Sequence, residues 1–225
     1  MYPNLTKRAI KALILKILTG LDYAHSRGII HRDIKPGNVL MNLKDDSVTI
    51  VDWGLADFYH PSKRFNVRVA SRYFKAPELL LSNNYYDYQL DVWSVGCMLA
   101  GMMFAKEPFF KGSDNDDQLI RIAKVIGADD IRAYVDKFDH VQLSDYFKQH
   151  LLNFSKKDWY KFVGVKNEEI VCQDHGFDLL TKMLTIDHTE RITAREAINH
   201  EFFDEVRDST ENDDLVSTTK IINSL

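Results

Sequence analysis

Between His31 and Gly54 the chain reads HRDIKPGNVLMNLKDDSVTIVDWG. Four side chains in this stretch could act together on a phosphate. Asp33 follows the apolar pair Ile29-Ile30 and opens a loop, where a carboxylate can accept a hydrogen bond from a substrate hydroxyl and orient it. Lys35, two residues on, can neutralise a phosphate oxygen. Asn38 and Asp52 offer hard oxygen ligands, the type magnesium takes when phosphates supply the remaining sites. Any one of them alone is an ordinary polar residue at a strand end. The ordered set is a candidate site.

Such residues need a frame. Val39-Leu40-Met41 and Val48-Thr49-Ile50-Val51 flank Lys44-Asp45-Asp46-Ser47, which reads as two strands and a hairpin turn. A tight hairpin brings its two ends together, so one metal cluster can use Asn38 and Asp52. Upstream, Asn4 or Thr6 can cap a helix whose stripe is Ile10, Leu13, Ile14, Ile17, Leu18 and Leu21, with Gly28 as a stop signal. Residues 54–78 show little periodicity and read as a long loop, a feature that tends to carry function in compact domains. Leu90 to Phe104 is apolar nearly all round and predicts a buried central helix. Gln118 to Ile126 is amphipathic, with Asp114, Asp116 and Asp117 at its solvated start. Further helices are expected near Asp178–Leu184 and Ala194–Asn199. His140, His150, His175, His188 and His200 are scattered and read as surface or packing residues, as do Trp159, Tyr160 and Phe162.

Composition narrows the class. The chain has 225 residues, 45% hydrophobic and 28% charged, enough to bury a real core. A net charge of -4 offers no case for binding nucleic acid, and no apolar run reaches the roughly 18 residues of a membrane span. Cys97 and Cys172 fit neither a disulfide framework nor a zinc site, so a reducing compartment is expected.

HRDIKPGN fits H-R-D-x-x-x-x-N position by position, and Asp52-Trp53-Gly54 stands where a metal-binding Asp-Phe-Gly is usual. Ala76-Pro77-Glu78, then Asp91-Val92-Trp93-Ser94-Val95-Gly96, then Arg191 in DHTERITAREAINHEFF follow in order. The chain therefore resembles the large C-terminal lobe of a eukaryotic protein kinase, and Lys35 suggests the serine/threonine class. The tryptophan of DWG, with FYHP, NVRVASRYFKAPELL, KEPFF and DNDDQLIRIAKVIG, resembles the catalytic alpha subunits of casein kinase II.

The resemblance implies a mainly α fold with a small β-hairpin, the C-terminal lobe of the α+β protein-kinase-like fold with the N-terminal lobe missing. It would occupy residues 1–206, with an acidic, loosely held tail over 207–225. It implies transfer of the ATP γ-phosphate, with GTP also accepted, to Ser or Thr beside acidic residues. Asp33 would then take the hydroxyl, Lys35 the γ-phosphate, Asn38 and Asp52 Mg2+ with its nucleotide, and Leu40 and Val51 the adenine floor. His31, Arg32 and Asp91 would support the catalytic loop, and Glu78 would pair with Arg191. Acidic protein substrates are the expected partners, in cytoplasm and nucleus. The regulatory beta subunit docks mainly on the lobe not found here, so no contact with it is assigned. No nucleic acid or membrane partner is expected.

The segment after the metal motif is biased in charge. Between Asp57 and Glu78 there is no acid, but there are Lys63, Arg64, Arg68, Arg72 and Lys75. These could pair with distant acids or hold a phosphate on the loop itself. No Ser, Thr or Tyr lies between Lys63 and Ala70, which favours Arg68, Arg72 and Lys75 facing an acidic substrate. Ser62, Ser71 and Tyr73 remain as modifiable residues near the ends. No G-x-G-x-x-G and no V-A-I-K-like strand occurs among the 225 residues, so little activity is expected of them alone. Three readings follow: a piece of an ordinary kinase, a non-catalytic scaffold or substrate-binding module, or an unrelated metal-dependent hydrolase using Asp33 and Asp52. A scaffold has no use for the four site residues together, and a hydrolase leaves Ala-Pro-Glu, the basic loop and Arg191 unexplained.

Overall fold

Thr6 caps the first helix by accepting a hydrogen bond from the Ala9 N–H at 3.2 Å, and α1 runs Lys7–His25. The stripe from Ile10 to Leu21 is buried along its length. Gly28 stops the helix with a φ of 78°, a conformation that only glycine adopts without strain. The computed structural model describes residues 5–42, 45–150, 153–165, 167–168, 170–171 and 174–207. Asn4, Lys44, Cys172 and the acidic tail from residue 208 onward lie outside them.

Two small antiparallel sheets follow α1. Strand β1 (Ile29–Ile30) pairs with β4 (Asp57–Phe58), and β2 (Val39–Met41) pairs with β3 (Val48–Ile50). The second pair is the expected hairpin, in register Val39↔Ile50, Leu40↔Thr49 and Met41↔Val48. The first pair was not anticipated. Two-residue strands carry no periodicity, and their pairing joins parts of the chain that sequence reading treats as separate.

The rest is helical. Helix α2 (Pro77–Leu80) leads to α3 (Gln89–Met103), where every residue from Leu90 to Gly101 is buried. Gly96 lets α3 approach its neighbour, because a Cβ there would lie 2.9 Å from Leu184 Cδ2 and 3.1 Å from Met183 Cβ. Then come α4 (Asn115–Ile126), α5 (Asp129–Lys137), α6 (Asp145–His150), α7 (Asp174–Met183), α8 (Ala194–Ile198) and α9 (Asp204–Arg207). Helix α4 begins one residue after Asp114, which caps it through the Asp117 N–H, so the solvated aspartates form its first turn. Helix α5 escaped the periodicity reading because only Ile131 and Tyr134 of its nine residues are buried. Helices α1, α7 and the short 3-10 turn Arg72–Phe74 pack on α3. Trp159 and Phe162 join Phe104, Phe109 and Phe177 in an aromatic cluster beneath it. The fold is mostly helical with small sheets, as in the large lobe of a protein kinase.

Candidate active site

A buried carboxylate organises the site from below. Asp91, near the start of α3, accepts hydrogen bonds from the backbone N–H of His31 (2.9 Å) and Arg32 (2.8 Å), and lies 2.9 Å from His25 Nε2. Burial alone would push its carboxyl up. The His25 contact, with help from His31, outweighs that and holds it below the usual range. Arg32 takes a left-handed backbone, with φ 69°, and the two Asp91 bonds stabilise that strained turn. His31 completes the loop by bonding the Val51 carbonyl at 3.1 Å and packing edge-on against Trp53, with centroids 4.6 Å apart.

The turn projects Asp33 into a dense hydrogen-bond cluster. Its Oδ2 accepts from Lys35 Nζ at 2.6 Å and from Asn38 Nδ2 at 3.2 Å. Its Oδ1 accepts from both the backbone N–H and the hydroxyl of Ser71, each at 2.8 Å. Lys35 Nζ also donates to Ser71 Oγ at 3.0 Å. Bonds to an ionised acceptor are the strong ones, so this set fixes the direction of Asp33. The sequence groups Asp33, Lys35 and Asn38 but not Ser71, which stands 38 residues away and is legible there only as a modifiable serine.

The hairpin brings the proposed metal ligands toward each other. The Val51 N–H donates to the Asn38 carbonyl at 2.9 Å, one residue before Asp52. Asp52 is exposed and left-handed, with φ 62°. The Trp53 indole donates to the Ile50 carbonyl at 3.0 Å, which pins the residue beside it. Among the described residues the Asp52 carboxylate and the Asn38 amide oxygen accept no hydrogen bond, so both are available to a cation. No cluster of three or more His, Cys, Asp or Glu able to hold a metal occurs among the described residues. A metal here would need phosphate oxygens to complete its shell. Beside it Leu40 is 56% exposed and Val51 is half-buried, an apolar surface facing out.

The basic segment divides in two. Lys63 pairs with Asp57 at 3.2 Å, and Arg64 donates to the Tyr85 hydroxyl at 2.8 Å. For Lys63, pairing with an acid of the chain is therefore the observed state. Arg72 donates to the Ser113 carbonyl at 2.5 Å, while Arg68 is exposed. Lys75 is half-buried, and burial, reinforced by the Arg72 charge, lowers its pKa against the opposing pull of Asp33. Among the described residues none of Arg68, Arg72 and Lys75 pairs with a carboxylate.

Glu78 and Arg191 anchor the far end of this segment. Their side chains are fully buried and bonded at two points, Nη1–Oε1 at 2.8 Å and Nη2–Oε2 at 2.9 Å. Arg191 also donates to the carbonyls of Thr185 (2.9 Å), Gln89 (2.9 Å) and Ile186 (3.1 Å), so all its N–H groups are used. Burial opposes ionisation of Glu78, but the Arg191 charge and hydrogen bonds prevail and keep its pKa below the ordinary value.

A loop aspartate oriented by a lysine, an asparagine and a serine, beside a free carboxylate, suits positioning a hydroxyl against a phosphate. The family model described as the protein kinase domain matches residues 2–203. That match covers most of the 225 residues, and the chain belongs to the protein kinase domain family.

Proposed function

We propose that the chain carries the substrate-positioning machinery of a serine/threonine kinase of the casein kinase II alpha type, acting on Ser or Thr beside acidic residues. The observation that carries this reading is the basic segment. Arg68, Arg72 and Lys75 have no carboxylate partner among the described residues, and Lys75 feels the charge of Asp33. Three cations without an acid partner among the described residues, one of them within the field of a hydroxyl-orienting aspartate, favour a substrate with acidic flanks.

Asn38 and Asp52 fit Mg2+, since each presents an oxygen with no competing hydrogen bond among the described residues. Leu40 and Val51 fit the adenine of ATP, or the guanine of GTP through the same apolar contact. Bound Mg-nucleotide would supply the phosphoryl group and charge neutralisation. Asp33 would accept the hydrogen bond of the substrate hydroxyl and later its proton. Lys35, already on Asp33, would balance charge at the reacting oxygens, and Ser71 would keep Asp33 from turning.

The test separates substrate recognition from catalysis. Binding of a fluorescent serine peptide with acidic flanks, followed by anisotropy on the purified chain, should weaken about tenfold in Arg68→Ala/Lys75→Ala. A neutral peptide should respond to neither form. Equal binding of acidic and neutral peptides by the parent chain would sink the acidic preference. Because the 225 residues contain no G-x-G-x-x-G motif, phosphate transfer by them alone is expected to be weak. Measurable peptide phosphorylation lost in Asp33→Asn would refute that part while supporting the kinase reading.

A further inference from the structure

The approach to α4 carries a serine that the site does not use. Ser113 is exposed, and Asp114, Asp116 and Asp117 follow it. Among the described serines and threonines it is the only one with three acids in the next four residues. Thr210 has the same pattern but lies outside them. Ser113 is thus a hydroxyl beside acidic residues, the class that a basic substrate segment selects.

Ser113 also touches that segment. Its carbonyl accepts a hydrogen bond from Arg72 Nη1. Its backbone N–H donates to Asp117 Oδ2 at 3.0 Å. The hydroxyl is held less well. It donates to Asp114 Oδ2 at 3.3 Å and to Asp117 Oδ2 at 3.4 Å, both long for an O–H donor. Asp117 is further engaged by Arg121 at 3.1 Å.

A phosphate on Ser113 would carry a charge of about −1.5 to −2 and acceptor oxygens in place of the donor. It could keep neither hydroxyl bond, and both aspartates would repel it. Arg72 already lies on the carbonyl of the same residue and has no carboxylate partner among the described residues. Lys111, two residues back, is exposed and likewise without one among them. Repulsion from one side and attraction from the other give the phosphate one direction to take.

We propose that Ser113 is a phosphorylation site for a serine/threonine kinase that selects acidic flanks, and that its phosphate turns onto Arg72 and withdraws that cation from substrate binding. The step uses Mg-ATP. Ser113 Oγ bonds to the γ-phosphorus, the bridging P–O bond to ADP breaks, and the hydroxyl proton passes to the base of the modifying kinase. The effect on substrate binding rests on the acidic preference proposed for this chain. The site and its contact with Arg72 do not.

The whole 225-residue chain, treated with Mg-ATP and purified casein kinase II holoenzyme and then digested with trypsin, tests the site. The peptide 112–121 has Ser113 as its sole hydroxyl residue, so a phosphate found there by mass spectrometry is on Ser113. Thr210 falls on a different peptide. No phosphate on 112–121, while a serine peptide with acidic flanks is phosphorylated in the same mixture, overturns the proposal. The contact is read by urea unfolding. Phosphorylation should lower the midpoint more in Arg72→Ala than in the parent, because only the parent pairs the new charge. An equal change in both overturns the contact. Purified phosphorylated parent should bind the acidic peptide about tenfold more weakly than before. Ser113→Ala, treated alike, should bind as the untreated parent does, since Arg72 is bonded to the backbone carbonyl. Unchanged binding by the phosphorylated parent, with its acidic preference intact, overturns the effect on recognition. A parent with no acidic preference overturns that effect together with the reading it rests on, and the mass spectrum and urea midpoint still decide the site and its contact.

Discussion

Asp33 shows how much a single loop residue owes to partners far along the chain. Lys35 and Asn38 come from its own loop, but Oδ1 is held entirely by Ser71. Ser71→Ala keeps the backbone N–H bond and loses the hydroxyl bond, leaving Lys35 with one partner fewer. Its expected cost is about 0.5–1.5 kcal/mol of stability in urea unfolding, the usual net worth of a hydrogen bond. A loss above that range would mean that the serine supports more than Asp33. Arg191 is the sharper case. Arg191→Met leaves the Glu78 carboxylate buried without its cation, and denaturant unfolding should show a loss of about 3–5 kcal/mol. A loss near zero would mean that Glu78 is not ionised in the folded chain.

At the level of elements, close approach between helices is what holds the site steady. Helix α3 carries Asp91 and is clamped against α7 at Gly96. In Gly96→Ala the new methyl would have to displace Leu184 or Met183, and such overpacking typically costs about 1–3 kcal/mol. Thermal unfolding followed by circular dichroism should therefore show a lower Tm, and an unchanged Tm would mean that α3 and α7 can part without cost. The elements differ in how well sequence reveals them. α1, α3 and the β2–β3 hairpin declare themselves by periodicity or by a turn signal, because each satisfies one local rule along its whole length. Strands β1 and β4 and helix α5 do not, because they persist through partners elsewhere in the chain.

Over the whole molecule, buried acids tie stability to pH. Glu78 and Asp91 are both held below their ordinary values of 4.5 and 3.8 in the fold. A depressed carboxylate contributes stability that is present above its unfolded pKa and is lost as pH falls through the folded one. Asp87 works in the opposite sense, because burial raises its pKa and its contribution declines as pH rises. With the more exposed Asp117, Asp178, Asp187, Glu196 and Glu205 also depressed, the lowered acids outweigh the raised Asp87 and predict a chain that weakens below about pH 4.5, which should show as a falling urea midpoint between pH 5 and 3, on the order of two units. Arg191→Met removes the cation that depresses Glu78, so its acid dependence should be shallower. An identical slope in both proteins would place the acid sensitivity elsewhere. Cys97, buried in α3 with its thiol pushed up by desolvation, should resist alkylation until the chain unfolds.

The inventory of the site and its local frame are legible along the chain. HRDIKPGN and DWG name the residues, and the hairpin between them follows from turn chemistry and short apolar runs, all within reach of local rules. The excess of positive charge before Ala-Pro-Glu is legible there too. Which of those charges find a partner depends on how the folded chain packs. Lys63 is taken by Asp57 and Arg72 by a carbonyl of the α4 approach, whereas Arg68 and Lys75 are left without an acid among the described residues. Nor could spacing reveal Ser71 on Asp33 or Asp91 beneath the loop. Those contacts span 38 and 60 residues, and a separation of that size leaves no periodic trace in the chain. They exist because a buried carboxylate or N–H must find a partner wherever packing places one.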